Sequence, residues 1–260
     1  MEIIARISKG SQMDQIYLSK NRQGMPTGEY VLITPIEEKI QTSKPKLYFY
    51  NAKIEPIKLR IIEEIFIQIT KLNPENIILT GSFLEPGFKF NDIDLIIINE
   101  KKIKTETLKQ RIESLFGIKT HIILMSTGSL ILGLSSDPLY SLMLSKCVSS
   151  KRIVFKVKRK PDYKLLDLHL LKSKTLIDNF SILNGEEKYY LTLNMVSILL
   201  FIQGKKLSKE IVNKKIEKTF NIKIEKLKEN IVDEKFLQKY KRIYNKIFNL
   251  IMRKIKDEPK

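Results

Sequence analysis

Tryptophan is absent from this 260-residue chain, and cysteine occurs once, as Cys147. A single cysteine excludes an internal disulfide framework and a cluster of thiolate metal ligands. This usage favours a reducing, cytoplasmic location. Long apolar runs are also missing, because the most apolar stretch, residues 195–202, is far too short to span a bilayer. Residues 1–6 open with an acid and lack an apolar core, so we expect no secretory signal there.

Acidic residues are scarce relative to basic ones, which gives the chain a formal net charge of +18. The excess is uneven: residues 151–260 hold 28 lysines and arginines against 13 acids, whereas residues 1–150 hold 19 against 16. Because concentrated positive charge attracts polyanions through counterion release, we expect the C-terminal part to contact RNA or DNA. The alternative is that these lysines only solvate helices in a chain rich in lysine and isoleucine throughout.

The hydrophobic pattern predicts an α+β fold with three parts. Residues 1–50 indicate a small β-rich module, residues 56–157 an α/β core with a mixed sheet, and residues 162–260 a basic domain made only of helices. Strands of the module are predicted at residues 3–7, 15–18, 30–34 and 46–50. Helices of the C-terminal domain are predicted at about residues 164–183, 186–203, 207–219 and 233–256, the last one capped by Asp233.

Within the core, a helix is predicted to start at Pro56 and to stop before Asn73-Pro74, because a residue ahead of proline disfavours helical geometry. Alternating elements follow, with strands at residues 76–80, 93–98 and 120–125 and a helix at residues 105–116 that ends at Gly117. Residues 137–150 are predicted to be helical, which places Cys147 on a buried helix face where its thiol is inert. Residues 152–157 are predicted to be extended.

The segment Ile77-Ile78-Leu79-Thr80-Gly81-Ser82 predicts a buried strand that ends in a sharp turn. Backbone N–H groups at such a turn, together with the Ser82 hydroxyl, suit a polyphosphate anion. An N-cap role for Ser82 at a following helix is compatible with this function. The turn is therefore a candidate nucleotide-binding element.

Nine residues separate Ser82 from Asp92-Ile93-Asp94, which leads into an apolar run. Residues two apart on a strand share a face, so the two carboxylates point the same way. A divalent cation would relieve their repulsion, and Mg²⁺ prefers such oxygen ligands. The alternative is a solvated strand start in which Asn91-Asp92 forms a turn, although this leaves Asp94 without a role.

Gly81-Ser82, followed by Asp92-Ile93-Asp94 at the start of an apolar strand, resembles the nucleotidyltransferases of the DNA polymerase β superfamily. The resemblance covers about residues 57–157. It implies transfer of a nucleoside monophosphate from NTP to a hydroxyl of an RNA end, a protein or a small molecule. It also implies that Asp92 and Asp94 hold Mg²⁺ (or Mn²⁺) and that Gly81 and Ser82 bind the phosphates.

Two positions depart from this family. After Gly81-Ser82 the family has a small residue and then Arg-Gly, where this chain has residues 83–87, Phe-Leu-Glu-Pro-Gly. The family also has a third carboxylate on the next strand, where this chain offers His121 or Thr120. Imidazole binds transition metals better than Mg²⁺, so His121 is a candidate ligand for Mn²⁺ or Zn²⁺ or a proton acceptor. A structural His121 would instead mark lost catalysis.

Two functions from other classes therefore stay open. One is a catalytically degenerate regulator that keeps the fold and binds nucleic acid. The other is an interaction protein that binds a partner through its helices. His169, in an apolar helical run, is interpreted as a helix residue with its polar atoms satisfied. Its distance of ten residues from Arg159 does not fit the Arg–His pair of helical ribonucleases that partner minimal nucleotidyltransferases.

The N-terminal module is similar to a degenerate AbrB-type module. Ile7-Ser8-Lys9-Gly10-Ser11 and the later segment at residues 24–33, Gly-Met-Pro-Thr-Gly-Glu-Tyr-Val-Leu-Ile, carry the similarity. That family pairs swapped hairpins into a dimer that binds DNA, so the resemblance implies a homodimer. The alternative is a β-hairpin packed on the catalytic core.

Overall fold

The computed structural model describes residues 7–18, 20, 26–31, 33, 45–101 and 103–257. The chain forms two compact units, residues 1–41 and residues 42–260. In the first unit, β1 (Ile7–Ser8) pairs antiparallel with β2 (Gln15–Ile16). The predicted strand at residues 30–34 is wrong for Tyr30, Val31 and Ile33, which lie in no strand. The rest of that strand, and residues 3–6 and 24–25, lie outside the described residues, so the AbrB-type resemblance stays a prediction.

The second unit contains a five-stranded mixed sheet with the strand order β3-β7-β4-β5-β6. Its strands are β3 (Tyr48–Tyr50), β4 (Asn76–Thr80), β5 (Asp92–Ile98), β6 (Lys119–Met125) and β7 (Cys147–Ser149). Neighbouring strands run antiparallel, except that β5 and β6 run parallel. A parallel pair needs a crossover, which here contains α2 (Thr105–Phe116). The predicted α+β fold with a mixed sheet is confirmed.

Three further helices cover this sheet: α1 (Pro56–Thr70), α3 (Thr127–Ser136) and α4 (Pro138–Ser145). The start of α1 at Pro56 and the end of α2 at Gly117, which has φ +65°, agree with the sequence-based prediction. No helix was predicted at α3, which begins where the Ser126 side chain accepts a hydrogen bond from the Ser129 N–H at 3.0 Å. Residues 152–157 belong to no strand, so the extended piece predicted there is not part of the sheet.

The predicted helix over residues 137–150 is wrong at its C-terminal end. The helix α4 stops at Ser145, and residues 147–149 form β7, which pairs with β3 on one side and β4 on the other. All three residues of β7 are buried. Cys147 therefore lies on a central strand and not on a helix, because pairing with two strands overrides the local helical pattern.

Apolar side chains pack on both faces of the sheet, which explains why β4 and β5 are apolar almost throughout. One face packs against α1 and α2 through residues that include Ile62, Phe66, Leu79, Leu95 and Ile112. The other face packs against α3 and α4 through residues that include Ile78, Ile96, Leu130 and Tyr140. The two buried layers fix the ends of β4 and β5, where the candidate site lies.

The C-terminal region is helical, as predicted. Its helices in the described residues are α5 (Tyr163–Asp178), α6 (Gly185–Ile202), α7 (Lys209–Phe220), α8 (Ile224–Lys228) and α9 (Glu234–Asp257), of which α8 was not predicted. They share one apolar core. The predicted cap of α9 is confirmed, because the Phe236 N–H donates to Asp233 Oδ1 at 2.9 Å. No helix in the described part of the chain combines the length and apolar character needed to cross a bilayer.

His169 on α5 connects this helical region to the α/β core. Its Nε2 lies 3.1 Å from Asp137 Oδ2, and both side chains are nearly buried, with 13% and 7% exposed. Asp137 also caps α4 by accepting a hydrogen bond from the Leu139 N–H. The prediction of a satisfied His169 is therefore confirmed. The division of residues 56–157 and 162–260 into separate domains stays a prediction.

Candidate metal centre beside the Gly81-Ser82 turn

The chain turns sharply at Gly81, directly after β4. Gly81 has φ +87°, a conformation that residues with a Cβ rarely adopt. A Cβ on Gly81 would also collide with the Asp94 carboxylate. Glycine is therefore required both by the backbone and by the close approach of β5. A 3₁₀ turn follows over Ser82–Leu84 with Gly81 at its cap position, so the N-cap role predicted for Ser82 is wrong.

The two aspartates occupy the first and third positions of β5, and β6 runs beside them. Asp94 lies opposite His121 in the parallel register of β5 and β6. His121 Nδ1 lies 3.5 Å from Asp92 Oδ2 and 3.5 Å from Asp94 Oδ1. One ligand-type atom from each of the three side chains lies within 4.8 Å of the others. The fold thus brings together the three residues that the sequence proposed as metal ligands.

The position opposite the aspartates belongs to His121 and not to Thr120. Thr120 is fully buried on the other face of β6, where its hydroxyl donates to the Ile118 carbonyl. Its backbone N–H donates to Glu113 Oε1 on α2 at 2.8 Å. Because side chains alternate along a strand, the next residue projects toward β5 and the aspartates. A depression of about 270 Å³ is lined by residues of α2 and β6, namely Thr105, Glu106, Lys109, Thr120, His121 and Ile122.

The electrostatics of the cluster favour a bound cation. Burial raises the pKa of Asp94, the neighbouring Asp92 raises it further, and His121 opposes both effects. The exposed fractions are 28% for Asp92, 38% for Asp94 and 61% for His121, so the cluster opens to solvent on the histidine side. Two carboxylates and one imidazole fit a divalent cation that accepts both oxygen and nitrogen ligands. This donor set fits Mn²⁺ better than Mg²⁺, which demands oxygen.

A buried lysine anchors the segment that follows the turn. Lys58 on α1 is fully buried, and its Nζ donates to the Glu85 carbonyl and lies 3.3 Å from Glu55 Oε2. Three phenylalanine rings surround the ammonium group, with centroid distances of 5.7 Å for Phe83, 5.3 Å for Phe88 and 5.5 Å for Phe90. Desolvated cation–π contacts of this kind are favourable. They fix the backbone of the turn against α1.

The Glu85 carboxylate connects the same segment to more distant elements. Its oxygens pair with Lys146 Nζ at 2.7 Å, just before β7, and with Lys209 Nζ at 3.0 Å, at the start of α7. Burial opposes ionisation of Glu85, but the hydrogen bonds from both lysines outweigh this effect and lower its pKa. Sequence reasoning missed this group, since its members lie 61 and 124 residues from Glu85.

Comparison of the chain with known proteins identifies no family for it. No protein-family model matches it, and no curated protein shows significant similarity to it. The resemblance to nucleotidyltransferases therefore depends on the residues of the motif and on the arrangement described above.

Proposed function

We propose that the protein is a divalent-metal-dependent nucleotidyltransferase that moves a nucleoside monophosphate from NTP to a hydroxyl acceptor. The observation that carries the proposal is the convergence of Asp92, Asp94 and His121 directly beside the Gly81 turn. A metal-ligating cluster alone would fit many functions. Asp94 approaches Gly81 closely, and the backbone N–H groups of this turn would bind phosphates next to the cation.

The proposed reaction is a displacement at the α-phosphorus of NTP. The acceptor oxygen forms the new P–O bond, the bond between the α- and β-phosphates breaks, pyrophosphate leaves, and the acceptor proton passes to solvent. A bound divalent cation would supply charge stabilisation for the attacking and leaving oxygens. Asp92, Asp94 and His121 would hold that cation, while the N–H groups and hydroxyl of the Gly81-Ser82 turn would orient the phosphates.

A second candidate function is a catalytically degenerate regulator that binds nucleic acid. The observation in its favour is His121, which takes the position of the third acid and leaves 61% of its side chain exposed. Imidazole contributes no negative charge, so the site would hold Mg²⁺ less firmly than three carboxylates would. The basic C-terminal region fits this function as well as it fits an enzyme with an RNA acceptor.

An assay of labelled nucleotide transfer tests the proposal. The full chain is incubated with each α-labelled NTP, with Mg²⁺ or Mn²⁺, and with an RNA oligonucleotide or a cell extract. We expect labelled product, and more of it with Mn²⁺. Asp94→Asn should reduce transfer by at least about 100-fold, because it removes a charge from the shared site. The matched control Asp178→Asn, at the exposed end of α5, should retain full activity.

The variant His121→Asp restores the third acid and is expected to raise activity with Mg²⁺ relative to Mn²⁺. Two results together would contradict the proposed transferase activity. One is the absence of transfer with every NTP and both metals, and the other is metal binding that Asp94→Asn leaves unchanged. Tight binding of nucleic acid without transfer would favour the regulator.

A further inference from the structure

The last helix, α9, separates its charges from its apolar residues. It carries eight lysines and arginines and only two acids, Glu234 and Asp257. Six of the basic residues follow one another at intervals of three, four or seven positions and therefore share one face of the helix. All six are exposed, and we name this surface the α9 basic stripe: Lys235, Lys239, Arg242, Lys246, Arg253 and Lys256.

The opposite face of α9 is fixed in the helical core. Tyr240, Ile247 and Ile251 are fully buried there, and the Tyr240 hydroxyl donates to the Ser173 carbonyl on α5 at 2.9 Å. The helix is therefore packed along its length, and the fold sets the backbone positions of the stripe before any partner binds. Because most of the apolar face is already buried, with Phe248 as an exposed exception, α9 offers little of the free apolar surface by which amphipathic helices insert into membranes.

Acids of the described residues do not neutralise the stripe. Among the described residues, no acid lies within ion-pair distance of any of its six members. Neighbouring helices behave differently, since Lys214 pairs with Glu210 on α7 and Lys228 of α8 pairs with Glu186 on α6. The last-turn member, Lys256, also complements the helix dipole, whereas the five members upstream have no such role.

The dimensions of the stripe match an extended polyanion. Its members span residues 235–256, which corresponds to about 32 Å of helix at 1.5 Å per residue. Duplex DNA presents about one negative charge per 1.7 Å of its axis, evenly along its length. We propose that the α9 basic stripe binds the sugar-phosphate backbone of a nucleic acid, without reading its sequence. This inference goes beyond nucleotidyl transfer and does not depend on catalysis at Asp94.

Salt-dependent binding measurements test this surface. Fluorescence anisotropy is measured with a labelled DNA duplex, an RNA duplex and a single-stranded RNA over a range of salt concentrations. If all six members contact phosphates, log affinity should fall against log salt with a slope of about −5 for a duplex and about −4 for a single strand. The three nucleic acids distinguish duplex from single-stranded partners by which one binds most tightly.

Charge reversal locates the surface. The triple variant Lys239→Glu, Arg242→Glu and Lys246→Glu should lose at least about 100-fold in affinity at moderate salt, and its slope for a duplex should flatten by about 3. The matched control reverses three exposed basic residues of the core, Lys53, Arg60 and Arg111, and so changes the net charge equally. We expect its affinity to stay within about fivefold of the native chain.

Circular dichroism checks that both variants fold, and a triple glutamine variant at the same stripe positions replaces the first if it does not. Equal losses in the stripe variant and the control would overturn the inference, because net charge alone would then explain binding. Binding of polyglutamate as tight as that of nucleic acid, or no binding of any nucleic acid, would overturn it too. Asp94→Asn should leave the affinity for nucleic acid unchanged, so a failure of the proposed transferase can be distinguished from a failure of this inference.

Discussion

Ionisable side chains gather in two regions of this chain, as a compact cluster in the first and as an extended row in the second. In the α/β core, ligand atoms of Asp92, Asp94 and His121 lie within 4.8 Å of one another. On α9, successive members of the basic stripe are separated by about 4.5 to 10.5 Å along the axis, and the whole row extends over about 32 Å. A compact divalent cation relieves repulsion between two close carboxylates, whereas an extended polyanion matches a row of spaced ammonium and guanidinium groups. The spacing thus indicates which counter-ion each region suits.

The two regions also differ in how the backbone holds the charges. In the core, the positions are set by the register of β5 and β6 and by the close approach of Gly81 to Asp94. On α9 they are set by one helix whose other face is buried. The core site therefore depends on contacts between several segments, and we expect it to be more sensitive to single substitutions than the stripe.

The largest effect is expected for Gly81→Ala, compared with Gly204→Ala in the helical region. Both glycines have positive φ, +87° and +69°, but nothing lies within 4 Å of a Cβ on Gly204. Gly204→Ala should lose about 1 kcal/mol for the backbone conformation, and Gly81→Ala about 1–3 kcal/mol, because φ +87° with ψ −165° is essentially restricted to glycine. Gly81→Ala should lose about 1–3 kcal/mol more from the collision with Asp94, and its Mn²⁺ affinity should fall at least about tenfold. Urea unfolding and Mn²⁺ titration measure both quantities.

Equal destabilisation in the two variants would show that the approach of Gly81 to Asp94 is not tight. Native Mn²⁺ affinity in Gly81→Ala would show that the turn does not shape the metal centre.

An intermediate effect is expected for Asp137 and His169, a pair that joins the α/β core to the helical region. We expect a double-mutant cycle with Asp137→Asn and His169→Gln to give a coupling of about 1–2 kcal/mol, because both side chains are nearly buried. The fully exposed pair Glu210–Lys214 on α7 is the control, and solvent should make its coupling much smaller. Similar couplings for both pairs in urea unfolding would contradict this difference.

The smallest effect is expected for Asp94→Asn on the stability of the metal-free protein. Because the pKa of Asp94 is raised in the folded state, its contribution to stability is present below about pH 3.8 and is lost as pH rises through the raised value. Asparagine does not ionise, so the variant should be slightly more stable than the native chain at neutral pH. The gain should stay below about 1 kcal/mol, since solvent reaches 38% of the side chain.

Thermal unfolding without Mn²⁺ measures this gain in stability, and thermal unfolding with Mn²⁺ measures how much stabilisation by the metal the variant loses. Mn²⁺ should raise the midpoint of the native chain by binding only the folded state, and should raise that of Asp94→Asn much less. A variant that is less stable than the native chain without metal, or equally stabilised by Mn²⁺, would show that the carboxylate is not part of a strained metal site.

Local patterns in the sequence predicted the parts of the fold that local physics determines. The Ile-rich runs of β4 and β5, the Gly117 helix end and the Asp233 cap all depend on neighbours within a few residues. The positions of Asp92 and Asp94 on one face followed from strand alternation. Their meeting with His121 followed from the family resemblance, which anticipated a ligand on the next strand.

Other features depend on partners far along the chain. Residues 147–149 were predicted to continue the helix before them, and only pairing with β3 and β4 makes them a strand. The helix α3 contains Gly128 and Gly133 among its ten residues, which lowers its intrinsic helix propensity. It forms because Ser126 caps it and Leu130 packs on the sheet. The sequence around Lys58 does not indicate that three phenylalanine rings surround its ammonium group.

The buried position of Cys147 has a practical consequence for labelling. It is the one cysteine of the sequence, it is fully buried on β7, and burial raises the pKa of its thiol to about 12. The thiolate that reacts with maleimides is therefore almost absent at neutral pH, and the sheet shields it from reagents. A cysteine introduced at an exposed position would take up a fluorophore or spin label selectively, so distances between the two regions can be measured without removing a native residue.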